Sequence, residues 1–136
     1  MYDPDLVRPM REEVTRLGVK ELLTPKDVED TVKQPGTTLL FVNSVCGCAA
    51  GGARPGLRLS MMHPKKPDRM VTVFAGMETQ AVEKAREFFR PYRPSSPQIA
   101  LIKDGKLVKM IQRQDIEGKD PARIAKDLTD AFDQFC

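Results

Sequence analysis

Two cysteines separated by one glycine are the residues whose type and spacing best fit a chemical role, and they form the sequence Cys46-Gly47-Cys48. Cysteine reacts as the thiolate, so its chemistry depends on how far its pKa is lowered. The residues after the motif predict a helix. The N–H groups and positive dipole end of that helix would stabilise a thiolate at Cys46. Gly47 has no side chain to obstruct the sulfurs. The motif therefore favours thiol–disulfide chemistry, with Cys46 attacking and Cys48 as the partner thiol.

The short spacing indicates which kind of exchange the pair would catalyse. A disulfide between Cys46 and Cys48 closes a smaller ring than one in a Cys-x-x-Cys motif. Departure from relaxed geometry makes a disulfide easier to reduce. We therefore expect a poor reductant of stable disulfides, suited to disulfide exchange or to removing a small thiol from another protein. In the second case Cys46 takes the adduct, which Cys48 or another small thiol then expels.

Two other interpretations of the cysteines are open at this point. Free cysteines are often small, buried and inert residues. A metal site could instead be built from the three cysteines and the single histidine of the chain, which are Cys46, Cys48, Cys136 and His63. Paired zinc-binding cysteines usually have two or more residues between them, so no metal is expected here. The small residues around the motif, at a predicted strand-to-helix turn, favour a reactive pair.

Composition limits the classes of partner. The chain has 136 residues, enough for one domain spanning residues 1–136 with a real hydrophobic core. Its 22 Lys+Arg and 19 Asp+Glu leave a net charge of +3, too weak to argue for nucleic acid or a membrane. No apolar run approaches the ~20 residues that cross a bilayer. The acidic start does not resemble a signal peptide, so we expect a cytoplasmic protein with reduced cysteines.

Hydrophobic periodicity and turn residues predict helices alternating with strands. The predicted helices are Pro9–Leu17, Pro25–Lys33, Cys46–Met62 with a bend around Pro55, Glu78–Phe89, and Pro121–Phe135. The predicted strands are Val19–Leu23, Thr37–Asn43, Arg69–Ala75, Gln98–Lys103 and Lys106–Gln112. Asp104-Gly105 fits the tight turn of a hairpin between the last two strands. The residues predicted to lie in the core include Met61, Met62, Phe88 and Phe89.

This order of elements predicts an α/β protein with a mixed central sheet and helices on both faces. It is the order of the thioredoxin-like fold with an extra N-terminal helix, and the cysteines follow the second strand, where that fold carries its redox site. The same fold places a cis-proline before the fourth strand, facing the motif. Pro97 occupies this position, and Ser96 would offer backbone groups to a bound substrate.

The run Val-Asn-Ser-Val-Cys-Gly-Cys, within Phe41–Gly51, resembles the signature of the bacilliredoxins. The resemblance extends along nearly the whole chain, through Val7–Arg11, Val71–Gly76, Ser95–Pro97, Ile116–Gly118 and Ala131–Asp133. It implies a thioredoxin-like fold and the reduction of mixed disulfides between proteins and bacillithiol, a small bacterial thiol. Cys46 would receive bacillithiol and Cys48 would be its partner. Weak disulfide isomerase activity, also associated with such proteins, is the alternative.

The resemblance also implies partners and further residues. Bacillithiol would be a thiol co-substrate with no cofactor bound, the clients would be S-thiolated proteins, and a bacillithiol disulfide reductase would be a further partner. Because bacillithiol carries carboxylates, Arg54 and Arg58 are candidates for binding the adduct, against the alternative of solvated arginines on a helix face. Cys136 is a candidate for a resolving or regulatory thiol, against the alternative of a local packing residue.

Overall fold

The centre of the protein is a five-stranded sheet built around an apolar strand. The computed structural model describes residues 1–136. The strands are β1 (Lys20–Glu21), β2 (Thr37–Asn43), β3 (Arg69–Phe74), β4 (Gln98–Lys103) and β5 (Lys106–Ile111). Their spatial order is β1-β3-β2-β4-β5, with β1 and β2 parallel to β3. Strand β4 is antiparallel to both β2 and β5. The predicted mixed sheet is confirmed.

Helices cover both faces of this sheet. They are α1 (Pro4–Thr15), α2 (Pro25–Val32), α3 (Arg54–Ser60), α4 (Thr79–Glu87), α5 (Arg113–Ile116) and α6 (Pro121–Phe135). Alternate side chains of β2 point to opposite faces. Leu39 and Phe41 pack with residues of α1, α3 and α6, whereas Leu40 and Val42 pack with residues of α2 and α4. No helix combines the length and the apolar character needed to cross a bilayer.

Three helices begin with the same kind of signal, a capping residue followed by proline. These pairs are Asp3-Pro4, Thr24-Pro25 and Asp120-Pro121. The predicted start of α1 at Pro9 is wrong, because the Asp3 carboxylate accepts a hydrogen bond from the Asp5 N–H at 2.9 Å and the helix begins at Pro4. Pro9 lies inside the helix, where it lacks one backbone donor.

The two edges of the sheet differ in how well they match the prediction. Strand β1 is shorter than the predicted Val19–Leu23, since only Lys20–Glu21 pairs with β3 at an edge. The β4–β5 hairpin is confirmed. Its turn residues Asp104 and Gly105 both have positive φ, at 50° and 79°, as a primed turn requires.

The helix that carries the cysteines is irregular, as predicted around Pro55. Its backbone is helical from Gly47, passes through a π-helical turn at Ala49–Ala53 and continues as α3. The Arg54 N–H bonds to the Ala49 carbonyl, five residues back. Proline has no N–H to continue the regular ladder, and the widened turn ends just before it.

Helix α5 is absent from the sequence prediction. It begins with a capping box in which the Gln112 N–H donates to the Asp115 carboxylate at 3.0 Å, and it ends before Gly118, which has a φ of 76°. Ile116 packs in the same core cluster as Ala53, so α5 lies against the early turns of the cysteine helix. A four-residue helix is too short to show hydrophobic periodicity.

One of the predicted core residues is misplaced. Met62 is 82% exposed, because α3 ends at Ser60 and Met62 lies in the turn that follows. Phe89 is buried as predicted, and Met61 and Phe88 are partly buried.

Candidate active site

The cysteine motif and Pro97 lie at the same edge of the sheet. The motif follows the C-terminal end of β2, and Pro97 immediately precedes β4. Val42 of β2 pairs with Gln98 of β4, which brings the two connections together. The Ser96–Pro97 peptide bond is cis, as the fold position predicted.

The two cysteines form a compact turn at the start of the helix. The Cys48 N–H donates to the Cys46 sulfur, with 3.4 Å between nitrogen and sulfur. The Cys46 carbonyl accepts hydrogen bonds from the N–H groups of Ala49 and Ala50 at 3.0 and 3.2 Å. Both cysteines are half-buried and Gly47 is exposed. The predicted position of Cys46 at an accessible strand-to-helix turn is confirmed.

The hydrogen bonds of this turn shift the pKa values of the two thiols in opposite directions. The Cys48 N–H lowers the pKa of Cys46, helped by the Cys48 side chain, the charge of Arg113 and the Ala49 N–H, while burial opposes the shift. The hydrogen bond to Cys46 raises the pKa of Cys48, and burial and the negative charge on Cys46 act in the same direction. Of the two thiols, Cys46 is therefore the one that loses its proton more readily.

A network of hydrogen bonds, formed mostly by buried side chains, holds the backbone that leads into the cysteine turn. The Cys46 N–H donates to the Ser44 hydroxyl at 3.1 Å, and the Ser44 N–H donates to the Asn43 side-chain oxygen at 2.9 Å. Arg54 Nη1 donates to that same oxygen at 3.0 Å and to the Ser44 carbonyl at 2.8 Å. Arg54 Nε pairs with Glu13 of α1 at 2.7 Å.

These contacts correct the prediction for Arg54. It is 3% exposed, so it is neither a solvated arginine nor an accessible residue for binding an adduct. Arg58 is exposed, but it follows Cys48 by ten residues, which is about 15 Å along a helix. Neither of the two arginines proposed from the sequence lies where it could bind an adduct on Cys46.

Cys136 lies at the opposite end of the sheet from Cys46. Its thiol is beside the side chain of Thr37, the first residue of β2, and partial burial raises the pKa of this thiol. Seven residues of strand separate the two ends of β2 by about 20 Å. The predicted resolving role is therefore wrong within one chain, because Cys136 is too far away to reach Cys46.

The residues considered for a metal site are also dispersed. His63 Nε2 lies 2.7 Å from the Asp133 carboxylate at the end of α6, and Cys136 lies beside Thr37. Nowhere in residues 1–136 do three or more histidine, cysteine or acidic side chains form a cluster that could hold a metal ion. The metal-binding interpretation has no support in the geometry.

The sequence prediction missed four residues around the motif. Asn43 and Ser44 could have been found, because a polar residue ends the buried strand and another follows it, two residues before Cys46. Arg113 gave no local signal, and Glu117 appeared only within the stretch Ile116–Gly118 of the resemblance, with no role attached. Their charges act on Cys46 and Cys48 only because the hairpin and α5 return the chain to this edge.

Relatives of this chain are found along its whole length. A family model described as disulphide isomerase matches residues 2–136. A bacilliredoxin from Cytophaga hutchinsonii is 51% identical over 135 residues, which cover 99% of this chain and 100% of that protein. A bacilliredoxin from Halalkalibacterium halodurans is 48% identical over 132 residues, covering 97% of this chain and 91% of that protein.

Solved structures share the fold at low sequence identity. Oxidised mitochondrial thioredoxin 3 from Saccharomyces cerevisiae gives a TM-score of 0.58 at 17% identity, covering 90% of this chain and 98% of that chain. Malassezia sympodialis thioredoxin gives a TM-score of 0.59 at 16% identity, covering 86% and 90% of the two chains. The predicted thioredoxin-like fold is confirmed.

Proposed function

The chain belongs to the bacilliredoxin family of thiol–disulfide oxidoreductases, and from that premise we propose that it reduces mixed disulfides between proteins and bacillithiol. One observation carries the proposal most directly. The Cys46 sulfur lies in an accessible turn, where the Cys48 N–H at 3.4 Å stabilises its thiolate and lowers its pKa. Such a sulfur is suited to attack an exposed disulfide on another protein.

The proposed reaction is two successive thiol–disulfide exchanges. The Cys46 thiolate attacks the bacillithiol sulfur of the mixed disulfide, and the client cysteine leaves as a thiolate that takes a proton from solvent. Cys46 now carries bacillithiol through a new S–S bond. Cys48 then loses its proton and attacks the Cys46 sulfur, which releases bacillithiol and leaves a Cys46–Cys48 disulfide. Alternatively, a second bacillithiol attacks the adduct, which frees Cys46 and yields bacillithiol disulfide.

The proposed partners follow from this chemistry. The clients are S-thiolated proteins, bacillithiol is the co-substrate, and no cofactor is bound. A bacillithiol disulfide reductase would regenerate the small thiol, and the process would serve redox homeostasis in the cytoplasm. The main chain at Ser96, which precedes β4 at the same edge as Cys46, would pair with a client backbone.

The roles of the cysteines can be tested on a client protein that carries one bacillithiol adduct. We expect Cys46→Ala to abolish removal of the adduct, because the N–H groups that lower a thiol pKa in this turn act on Cys46 and not on Cys48, and Cys136 lies at the other end of the sheet. Cys48→Ala should complete a single turnover and retain the adduct on Cys46, as measured by mass spectrometry. Cys136→Ala is the matched control and should behave as the parent. Clearance of the client by Cys46→Ala would contradict the assignment.

The small thiol itself can be identified in the cells that make this protein. After exposure of those cells to an oxidant, the mass added at Cys46 should equal that of bacillithiol. If the added mass matched glutathione or coenzyme A instead, the exchange chemistry would stand, but that thiol would be the co-substrate in place of bacillithiol.

Weak disulfide isomerase activity is the second candidate, and the description of the matching family model favours it. Refolding of a scrambled multi-disulfide protein, with no small thiol added, distinguishes isomerase activity from the removal of bacillithiol. Recovery of the refolded client under these conditions would favour isomerisation, whereas dependence on added bacillithiol would favour removal of adducts.

A further inference from the structure

Arg113 lies at the edge of the sheet that holds the catalytic turn. Ile111 ends β5 and pairs with Ile99, near the start of β4. The next residue toward this edge, Gln98, pairs with Val42, just before β2 ends. Neighbouring strands are about 4.8 Å apart, so the connection after β5 is roughly 10 Å across the sheet from the connection after β2. An arginine side chain spans most of that distance.

Several contacts hold α5, and with it Arg113, in place. The Arg113 N–H donates to the Ser95 hydroxyl at 3.4 Å, which links it to the segment leading into the cis-proline. Ile116, one turn later, packs in the core cluster against which Cys48 also rests. The backbone of Arg113 is therefore fixed relative to both the cis-proline segment and the cysteine helix.

The guanidinium of Arg113 has one nitrogen engaged and two free. Its Nε pairs with Glu117 Oε1 at 2.5 Å, whereas neither Nη atom donates to any protein acceptor. The Arg113 side chain is about half exposed, at 47%. The two Nη atoms can thus receive an anion from solvent in the parallel, two-bond geometry that suits a carboxylate.

The charges at this edge act directly on the two sulfurs. The Arg113 charge lowers the pKa of Cys46, and the Glu117 charge raises the pKa of Cys48. Arg113 is the cation that acts on both cysteines, whereas Arg54 is buried in its own network and Arg58 lies about 15 Å along the helix.

We propose that the two Nη atoms of Arg113, oriented by Glu117, bind a carboxylate of the small thiol while that thiol is disulfide-bonded to the client and then to Cys46. This inference rests on the proposed function and adds a class of adduct to it. The site selects low-molecular-weight thiols that carry a carboxylate over neutral or cationic thiols. Arg113 therefore replaces Arg54 and Arg58 as the adduct-binding residue.

Three symmetric disulfides of similar size test this selectivity. They are dithiodipropionate, which is anionic, hydroxyethyl disulfide, which is neutral, and cystamine, which is cationic. The rate of adduct formation on Cys46 is measured in the Cys48→Ala background as a function of pH. The rate is then extrapolated to full ionisation of Cys46, so that the comparison does not depend on any change in the Cys46 pKa. For Arg113→Gln we expect dithiodipropionate to slow about five-fold relative to the other two disulfides, a difference that shrinks in high salt.

Two further variants complete the experiment. Arg113→Lys should keep part of the preference, because it retains the charge and loses the paired donors. Arg16→Gln removes the same charge and an exposed i,i+4 pair on α1, and should leave all three rates as in the parent. Equal slowing of the three disulfides by Arg113→Gln, or no slowing, would overturn the inference. Failure of the proposed function would appear separately, as a parent protein that does not clear a bacillithiolated client.

Discussion

The acidity of Cys46 comes mainly from its own turn. The Cys48 N–H makes the largest contribution to lowering its pKa, and this donor belongs to the backbone, so it survives any change of side chain at position 48. The Cys48 side chain and Arg113 add smaller contributions. The pH dependence of Cys46 is therefore expected to change in steps as these groups are removed.

We predict that alkylation of Cys46 rises with pH through a midpoint below about 8.5, the value for an unperturbed cysteine, and levels off above it. The sign follows from the lowered pKa, since the thiolate forms at lower pH than in a free cysteine. Cys48→Ala should move the midpoint upward but keep it below that of free cysteine. Peptide mass spectrometry after timed alkylation measures the profile, and Cys136→Ala serves as the unchanged control. A parent midpoint at or above that of free cysteine would contradict the nucleophile assignment.

The local part of the site could be predicted from the sequence, and the non-local part could not. Cys46 and Cys48 follow from the motif, and the cis bond at Pro97 follows from its position in the fold. The burial of Arg54 depends on α1 packing over it, which the residues around position 54 do not reveal. The distance of Cys136 from the motif depends on the direction of α6 along the sheet.

The helix that carries the cysteines depends on close contact with α6. A Cβ added at Gly56 would lie 2.8 Å from Ile124 Cγ2 and 2.9 Å from Ile124 Cβ. Ile124 is fully buried, and its Cβ is fixed to the α6 backbone, so the two helices would have to separate. Glycine at position 56 thus sets the distance between α3 and α6.

We predict that Gly56→Ala destabilises the protein by about 1 to 2 kcal/mol, the cost of overpacking less the gain in helix propensity. Gly51→Ala is the matched control, because its Cβ would meet nothing within 4 Å. It should be neutral or slightly stabilising. Urea unfolding of both variants measures the difference, and similar stability for the two would show that the helices can separate without cost.

The elements with strong patterns were predicted most closely. The bounds of β2 and β4 match the prediction, because a run of apolar residues and an Asp-Gly turn fix them locally. Strand β1 is short, since only Lys20 and Glu21 pair with β3 at the edge of the sheet. Helix α5 depends on a capping box and on packing of Ile116, and these signals operate over too few residues to give a periodic pattern.

Over the whole molecule, α1 connects the N-terminal segment to the catalytic edge. Arg11 forms a two-bond pair with Glu78 at 2.9 and 2.6 Å. The Asn43 amide donates to the Met10 carbonyl at 3.1 Å. The pair between Glu13 and the buried Arg54 is the third connection. The helix added to the thioredoxin-like fold is therefore part of the support for the cysteine turn.

We predict that Glu13→Ala destabilises the protein by about 1 to 2 kcal/mol, because it leaves the buried Arg54 without its carboxylate partner. This loss of stability is smaller than that expected for a fully buried pair, since the Glu13 side chain is 44% exposed. Glu12→Ala, at the adjacent position, removes only an exposed pair with Arg16 and should cost less than about 0.5 kcal/mol. Urea unfolding again provides the measurement, and equal losses for the two would show that the Arg54 network adds no stability.

In the proposed cycle, the hydrogen bond between the two cysteines also favours one order of reaction, with Cys46 before Cys48. While Cys46 is a free thiolate, its hydrogen bond and negative charge raise the pKa of Cys48. Once Cys46 has accepted an adduct, its sulfur is neutral and both of these effects end. The second thiol then becomes more acidic at the moment when its attack is needed. The first half of the proposed cycle thus favours the second.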